Sequence, residues 1–175
     1  IKKIGKYDMP GIITKISGPT VVAGSMHNSK MYNLVYVGEE KLLGEVIRID
    51  GSNATIQVYE ETTGLSLGDK VSDTGQPLSI ELGPGLLTTI FDGVQRPLEE
   101  IARSSKGFIP TGIQLPALSR TKKWHFVPLV HRGDVIEEGD ITGTIQETAN
   151  ILHKVMCPPG IKGVIAEIKN GELSV

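Results

Sequence analysis

Three histidines, His125, His131 and His153, and the single cysteine, Cys157, have the ligand chemistry of a zinc-type centre. They are too dispersed along the chain to form a ligand set without further support, so no metal site is expected from them. Nucleophilic hydrolysis would need a nucleophile, a base and a group to orient the base. Neither G-x-S-x-G nor H-E-x-x-H occurs. A phosphate cradle of the form G-x-x-x-x-G-K-[ST] is also missing. Gly160-Ile161-Lys162-Gly163 is too short for one, and Gly83-Pro84-Gly85 has no lysine at the required offset. Catalysis by this chain alone is not expected, and neither is a bound cofactor or metal.

The elements that would have to position any site are short strands. Aromatic residues make up 5% of the 175-residue chain, while Gly (21) and Pro (10) are frequent, which favours many turns over a helix bundle. Hydrophobic content of 39% is enough for a core of useful size. The clearest local signal is Leu42–Ile49 and Ala54–Tyr59, two runs with period-2 alternation around Asp50-Gly51-Ser52-Asn53. That pattern predicts a β-hairpin with Val46, Ile56 and Val58 buried and Glu45, Arg48 and Gln57 facing water. Further short runs lie at 12–16, 20–23, 31–37, 70–71 and 78–82. Five or six antiparallel strands are expected over the block, and a small closed barrel would remove their exposed edges. Tyr32, Tyr36 and Tyr59 are scattered, acids match bases, and the net charge is −2, so no nucleic-acid partner is expected. With one cysteine, no secretion signal and no apolar run near the roughly 18–20 residues of a membrane span, a cytoplasmic location without membrane insertion is expected.

The stretch Leu82–Ile101 separates this block from the next. Gly83-Pro84-Gly85 cannot continue a strand ladder. After it, Pro97-Leu98-Glu99-Glu100-Ile101 predicts a helix start, with proline where a missing N–H is tolerated and two carboxylates near the positive end of the helix dipole. Ala102 and Arg103 extend that helix, and 104–112 reads as linker.

The second block has different punctuation. Gly133-Asp134 and Gly139-Asp140 mark successive turns, and Trp124–Leu129, Gly143–Glu147 and Gly163–Ile168 are strand-like, with Trp124 a packing residue. This pattern resembles the biotinyl and lipoyl carrier domains, flattened barrel-sandwich folds that carry their cofactor on a lysine at a hairpin tip. Alignment puts Asn150 at that position, and Lys154 falls where the returning strand should begin. The resemblance implies the fold and argues against a swinging-arm carrier.

Across the whole chain the order of motifs resembles the N-terminal part of the catalytic A subunit of archaeal and vacuolar-type rotary ATPases. Ile16-Ser17-Gly18-Pro19, Gly44-Glu45-Val46-Ile47, Gln57–Thr62, Pro77-Leu78-Ser79, Glu81–Leu86, Phe91–Leu98, Trp124-His125-Phe126 and Gly143–Glu147 carry the match, from about Gly11 onward. The resemblance implies a mainly β protein: residues 1–11 an extension, native or added; 12–81 a six-stranded barrel; 82–114 a connector with a short helix; and 115–175 the inserted bulge domain. It implies that the nucleotide-binding domain, with its ATP and Mg2+, lies outside this sequence. It also implies B subunits as ring partners, peripheral-stalk subunits as partners of the bulge, and a cytoplasmic complex peripheral to the cell membrane. Gly83, Pro84, Gly85, Asp92, Gly93, Arg96 and Pro97 are then the candidate connector and interface residues. The apolar face of Leu86, Leu87, Ile90 and Phe91 is expected to lack part of its native cover.

Overall fold

The structure is a computed structural model and describes residues 10–105 and 110–175. Most of the expected extension therefore lies outside the described residues, as do linker residues 106–109. The chain divides into two compact units, one comprising residues up to Ile80 together with Ser104–Gln114, the other Glu81–Arg103 with Leu115–Val175. The expected connector is thus shared between the units, with its larger structured part in the second.

The first unit is a closed barrel of six strands. They are β1 (Gly11–Ser17), β2 (Thr20–Gly24), β3 (Asn33–Val37), β4 (Leu42–Asp50), β5 (Asn53–Val58) and β6 (Lys70–Pro77). Around the barrel they run β1-β2-β5-β4-β3-β6, and β6 closes it by pairing with both β1 and β3. Gly11 already pairs with Val71, so the barrel takes in a residue that the sequence pattern left in the extension. Inward positions carry Ile13, Val21, Val35, Val37, Leu42, Val46, Ile56, Val58 and Val71, all 2% exposed or less. This is the alternation expected of a sheet with one face on a core. The predicted hairpin is β4–β5, with Val46 opposite Ile56 and Glu45 opposite Gln57. A bulge at Ile47 breaks the alternation, because Val46 and Arg48 face consecutive residues of β5 while Ile47 is passed over and left exposed.

One expected strand is absent. Leu78–Leu82 does not extend the barrel, and β6 instead runs from Lys70 to Pro77. The ladder stops at the Asn33–Pro77 pair, where proline has no N–H to offer. Ile80, beyond that end, is 68% exposed.

The second unit contains a single 3-10 turn (Leu86–Thr88), helix α1 beginning at Leu98, and strands β7 (Trp124–Pro128), β8 (Val135–Ile136), β9 (Ile141–Thr148), β10 (Ile151–Met156), β11 (Gly163–Val164) and β12 (Gly171–Leu173). Helix α1 spans Leu98–Ser105, and the unit boundary falls within its last turn. Its first N–H, on Leu98, donates to the Ile90 carbonyl at 2.9 Å, which satisfies a group that helix starts leave orphaned. The main sheet is ordered β10-β9-β7-β12, and β8 pairs with β11. Trp124, Phe126 and Ile145 form its buried centre, joined by Val155, Ile168 and Leu173. Lys122 Nζ lies 4.0 Å from the Trp124 ring centroid.

The two Gly-Asp turns have one construction. In His131–Asp134 and Glu137–Asp140 the Asp carboxylate accepts the N–H three residues back at 2.7 Å, and the Asp N–H returns to that residue's carbonyl. The barrel uses the same turn at Ser66–Asp69. The third residue has φ of 95° at Gly68, 99° at Gly133 and 85° at Gly139, a conformation that a side chain disfavours. Among the described residues no helix is long and apolar enough to cross a membrane.

Candidate functional site

Gly83, Pro84 and Gly85 form a fitted turn within the second unit. Gly83 and Pro84 are buried and Gly85 half-buried. A Cβ on Gly83 would come 2.5 Å from Leu118 Cδ1, and one on Gly85, whose φ is 100°, 3.2 Å from Trp124 Cζ2. The Gly85 N–H donates to Glu147 Oε1 at 2.9 Å. The Gly85 carbonyl accepts from the hydroxyls of Thr88 and Thr89, which closes the 3-10 turn. Upstream, Glu81 and Gln95 exchange two hydrogen bonds: the Glu81 N–H to Gln95 Oε1 at 2.7 Å, and Gln95 Nε2 to the Glu81 carbonyl at 2.8 Å. Arg120 Nη2 pairs with the Glu81 carboxylate at 2.5 Å.

The other four candidates share one closed turn. Phe91 and Pro97 bridge across its base. Asp92 accepts from the N–H groups of Val94 and Arg96 at 3.0 and 2.8 Å and from Arg96 Nε at 2.7 Å. Gln95 takes a positive φ of 61° to close the loop, and Gly93 is exposed with open space where a side chain would go. Pro97 is buried. Burial alone would raise the Asp92 carboxyl, but the Arg96 N–H, the Arg96 guanidinium, the Val94 N–H and the Arg96 charge together hold it below its ordinary value. A carboxyl depressed in the fold contributes stability above its unfolded value, and loses it as pH falls through the depressed one. The Asp92–Arg96 turn is therefore expected to loosen in acid, below about pH 4. An Asp92→Asn variant should weaken it by about 1 kcal/mol at neutral pH and flatten that acid dependence. Amide exchange at Val94 and Arg96, followed from pH 3 to 7, checks both.

Of the apolar face, Leu87 and Ile90 are 68% and 65% exposed, whereas Leu86 and Phe91 are half-buried. Leu82 is 72% exposed. Glu147 and Gln95, which hold the stretch at Gly85 and at Glu81, are not among the residues expected from the sequence. Glu147 did leave a signal: Gly143, Ile145 and Glu147 share one parity in β9, and the first two point into the core.

The remaining chemistry-bearing residues are dispersed. His125 lies against Glu172 on the neighbouring strand at 3.3 Å, and His153 against Glu147 at 4.0 Å. Cys157 is buried, with Sγ 3.4 Å from the Ile161 carbonyl. Among the described residues no group of three or more His, Cys, Asp or Glu side chains could hold a metal ion. At Gly160–Gly163 the Gly160 N–H is taken by the Glu138 carboxylate at 2.7 Å, and β11 rather than a helix follows, so neither phosphate nor Mg2+-nucleotide fits there. The β9–β10 hairpin turns at Ala149-Asn150, and Lys154 stands within β10 opposite Thr144.

A closed antiparallel barrel followed by a barrel-sandwich domain defines a module of two distinct β folds on one chain. Residues 13–75 match the ATP synthase alpha/beta family beta-barrel domain, and residues 115–175 match the ATP synthase alpha/beta subunit barrel-sandwich domain. The chain belongs to the ATP synthase alpha/beta family. It is similar to the V-type ATP synthase alpha chain of Thermoanaerobacter sp. (strain X514), with 53% identity over 165 residues, covering 94% of this chain and 28% of that protein. It is 54% identical over 166 residues to the A subunits of the A-type ATP synthases of Methanopyrus kandleri and Pyrococcus abyssi, again over 94% of this chain. Those matches cover 28% and 16% of the two proteins, so the chain spans less than a third of the relatives it matches.

Proposed function

We propose that this chain is the N-terminal portion of the catalytic A subunit of an A-type or V-type rotary ATP synthase, a complex that couples ATP synthesis or hydrolysis to proton or sodium transport. The observation that carries the reading is the pair of family matches in one order, with identity of 50–54% to such subunits along 94% of the chain. On this reading ATP and Mg2+ belong to a nucleotide-binding domain outside the sequence. The barrel holds neighbouring A and B subunits in a ring, and the barrel-sandwich domain faces the peripheral stalk. The connector runs between them with Gly83, Pro84, Gly85, Asp92, Gly93, Arg96 and Pro97 as its fixed points, and the rest of the polypeptide covers Leu82, Leu87 and Ile90. The complex is cytoplasmic and peripheral to the membrane.

The ring role is tested with full-length protein. The complete catalytic polypeptide and a version lacking residues 12–81 are each mixed with B subunits, and hexamer yield is measured by native mass spectrometry. The expected result is loss of hexamer without the barrel; an unchanged yield overturns the ring role. Removal of 115–175 is expected to release peripheral-stalk subunits while leaving hexamers formed.

A further inference from the structure

The Glu147 side chain is 1% exposed and shares the parity in β9 of the buried Gly143 and Ile145. A buried carboxylate is costly unless its oxygens are used, and a sheet core would be more stable with an aliphatic residue there. Only one of its oxygens is used among the described residues: Oε1 accepts the Gly85 N–H, whereas Oε2 has no hydrogen-bond partner and has His153 Nδ1 at 4.0 Å. That bond runs to a residue 62 positions earlier in the chain. That residue has a left-handed backbone and lies against Trp124, close to a glycine that leaves no room beside Leu118.

We infer that Glu147 is a positioning residue that clamps the Gly83–Gly85 turn to the sandwich sheet, so that Glu81–Pro97 moves as a rigid arm of that sheet and the turn is not a hinge. Three features make the clamp specific. The carboxylate offers a strong acceptor aimed at one backbone N–H. The glycine pair lets the backbone approach Leu118 and Trp124 closely enough to reach it. The Glu81–Gln95 exchange then ties the far end of the arm back to its root. A side chain that is 1% exposed and leaves one carboxyl oxygen without a hydrogen bond contributes its geometry here more than its stability. The clamp operates within this chain and does not depend on the family role.

The test uses the 175-residue chain and reads amide exchange and chemical shift at Gly85, with Phe126 and Ile145 as monitors of the sheet. Glu147→Ala is expected to lower Gly85 protection at least tenfold and to move its amide proton upfield, with protection at Phe126 and Ile145 kept within threefold. Glu147→Gln retains an acceptor oxygen and is expected to restore Gly85 protection to within threefold of the parent chain. Should Glu147→Ala unfold the unit, the comparison rests on Glu147→Gln and Glu147→Met, which are similar in size and differ in the acceptor. Equal Gly85 protection in those two variants, or unchanged protection in Glu147→Ala, overturns the clamp.

Discussion

Gly143→Val is expected to unfold the barrel-sandwich unit and leave the six-stranded barrel intact. Gly143 lies in β9 between Pro128 of β7 and Val155 of β10. A Cβ there would stand 2.2 Å from two ring carbons of Phe126 and 2.8 Å from the Val127 carbonyl oxygen. The carbonyl belongs to a strand backbone and cannot give way without breaking the sheet. The ring cannot give way either, since Phe126 is 8% exposed and packs in the core with Trp124 and Ile145. Overpacking a core costs roughly 1–3 kcal/mol when neighbours can shift, and expelling an aromatic ring adds about 3–5 kcal/mol. A loss of about 4 kcal/mol or more is therefore expected, comparable to the whole stability of many small domains. The chain has one tryptophan, Trp124, and it lies in the affected sheet. Trp124 fluorescence during urea unfolding therefore reports this unit alone, and amide exchange in β4 and β5 reports the barrel. A shift of the Trp124 transition by less than about 1 kcal/mol would show that the strands can part around the added methyl groups.

Period-2 alternation with a Gly-containing turn made the β4–β5 hairpin legible, because those signals are local and the core face is continuous. The bulge at Ile47 was not legible, since it depends on how two strands register around a closing barrel. Leu78–Leu82 alternates well enough to read as a strand, yet no partner edge remains once β6 has paired on both sides. The Gly-Asp turns were legible because one carboxylate and one φ-positive glycine define them within four residues. The fitted turn at 83–85 was legible only as a break. Its partners, Leu118, Trp124 and Glu147, are 35 to 62 residues from the glycines they meet, and no pattern within a short window links a Gly-Pro-Gly to an acid in a distant strand. The family motifs placed those stretches in one order without stating that they touch.

Ile56→Ala is expected to cost the barrel about 3–4 kcal/mol, the range for a large aliphatic side chain removed from a core that cannot collapse around the gap. Ile56 is fully buried on β5, with Val21 of β2 on one side and Val46 of β4 on the other. All of its neighbours are tied into a closed ring of hydrogen bonds, which leaves little freedom to fill the space. The structure adds a stricter test. Across the β4–β5 ladder, a Cβ on Gly44 would stand 2.8 Å from Ile56 Cγ2 and 3.0 Å from the Gln57 carbonyl oxygen, with Val58 Cα at an ordinary 3.5 Å. Gly44→Ala alone should therefore destabilise the barrel, by about 1–2 kcal/mol. In Ile56→Ala the Cγ2 atom is gone, and the closest contact left to the added methyl at position 44 is the Gln57 carbonyl oxygen at 3.0 Å. The double variant should thus be more stable than the sum of the two single changes predicts, by about 1 kcal/mol. Urea unfolding of the four proteins, followed by amide exchange in β2 and β5, measures the coupling. Strict additivity would mean that the Gly44 methyl is opposed by the Gln57 carbonyl and not by the Ile56 side chain. Ile80→Ala, at a residue 68% exposed, serves as the control and should change stability by no more than about 0.5 kcal/mol.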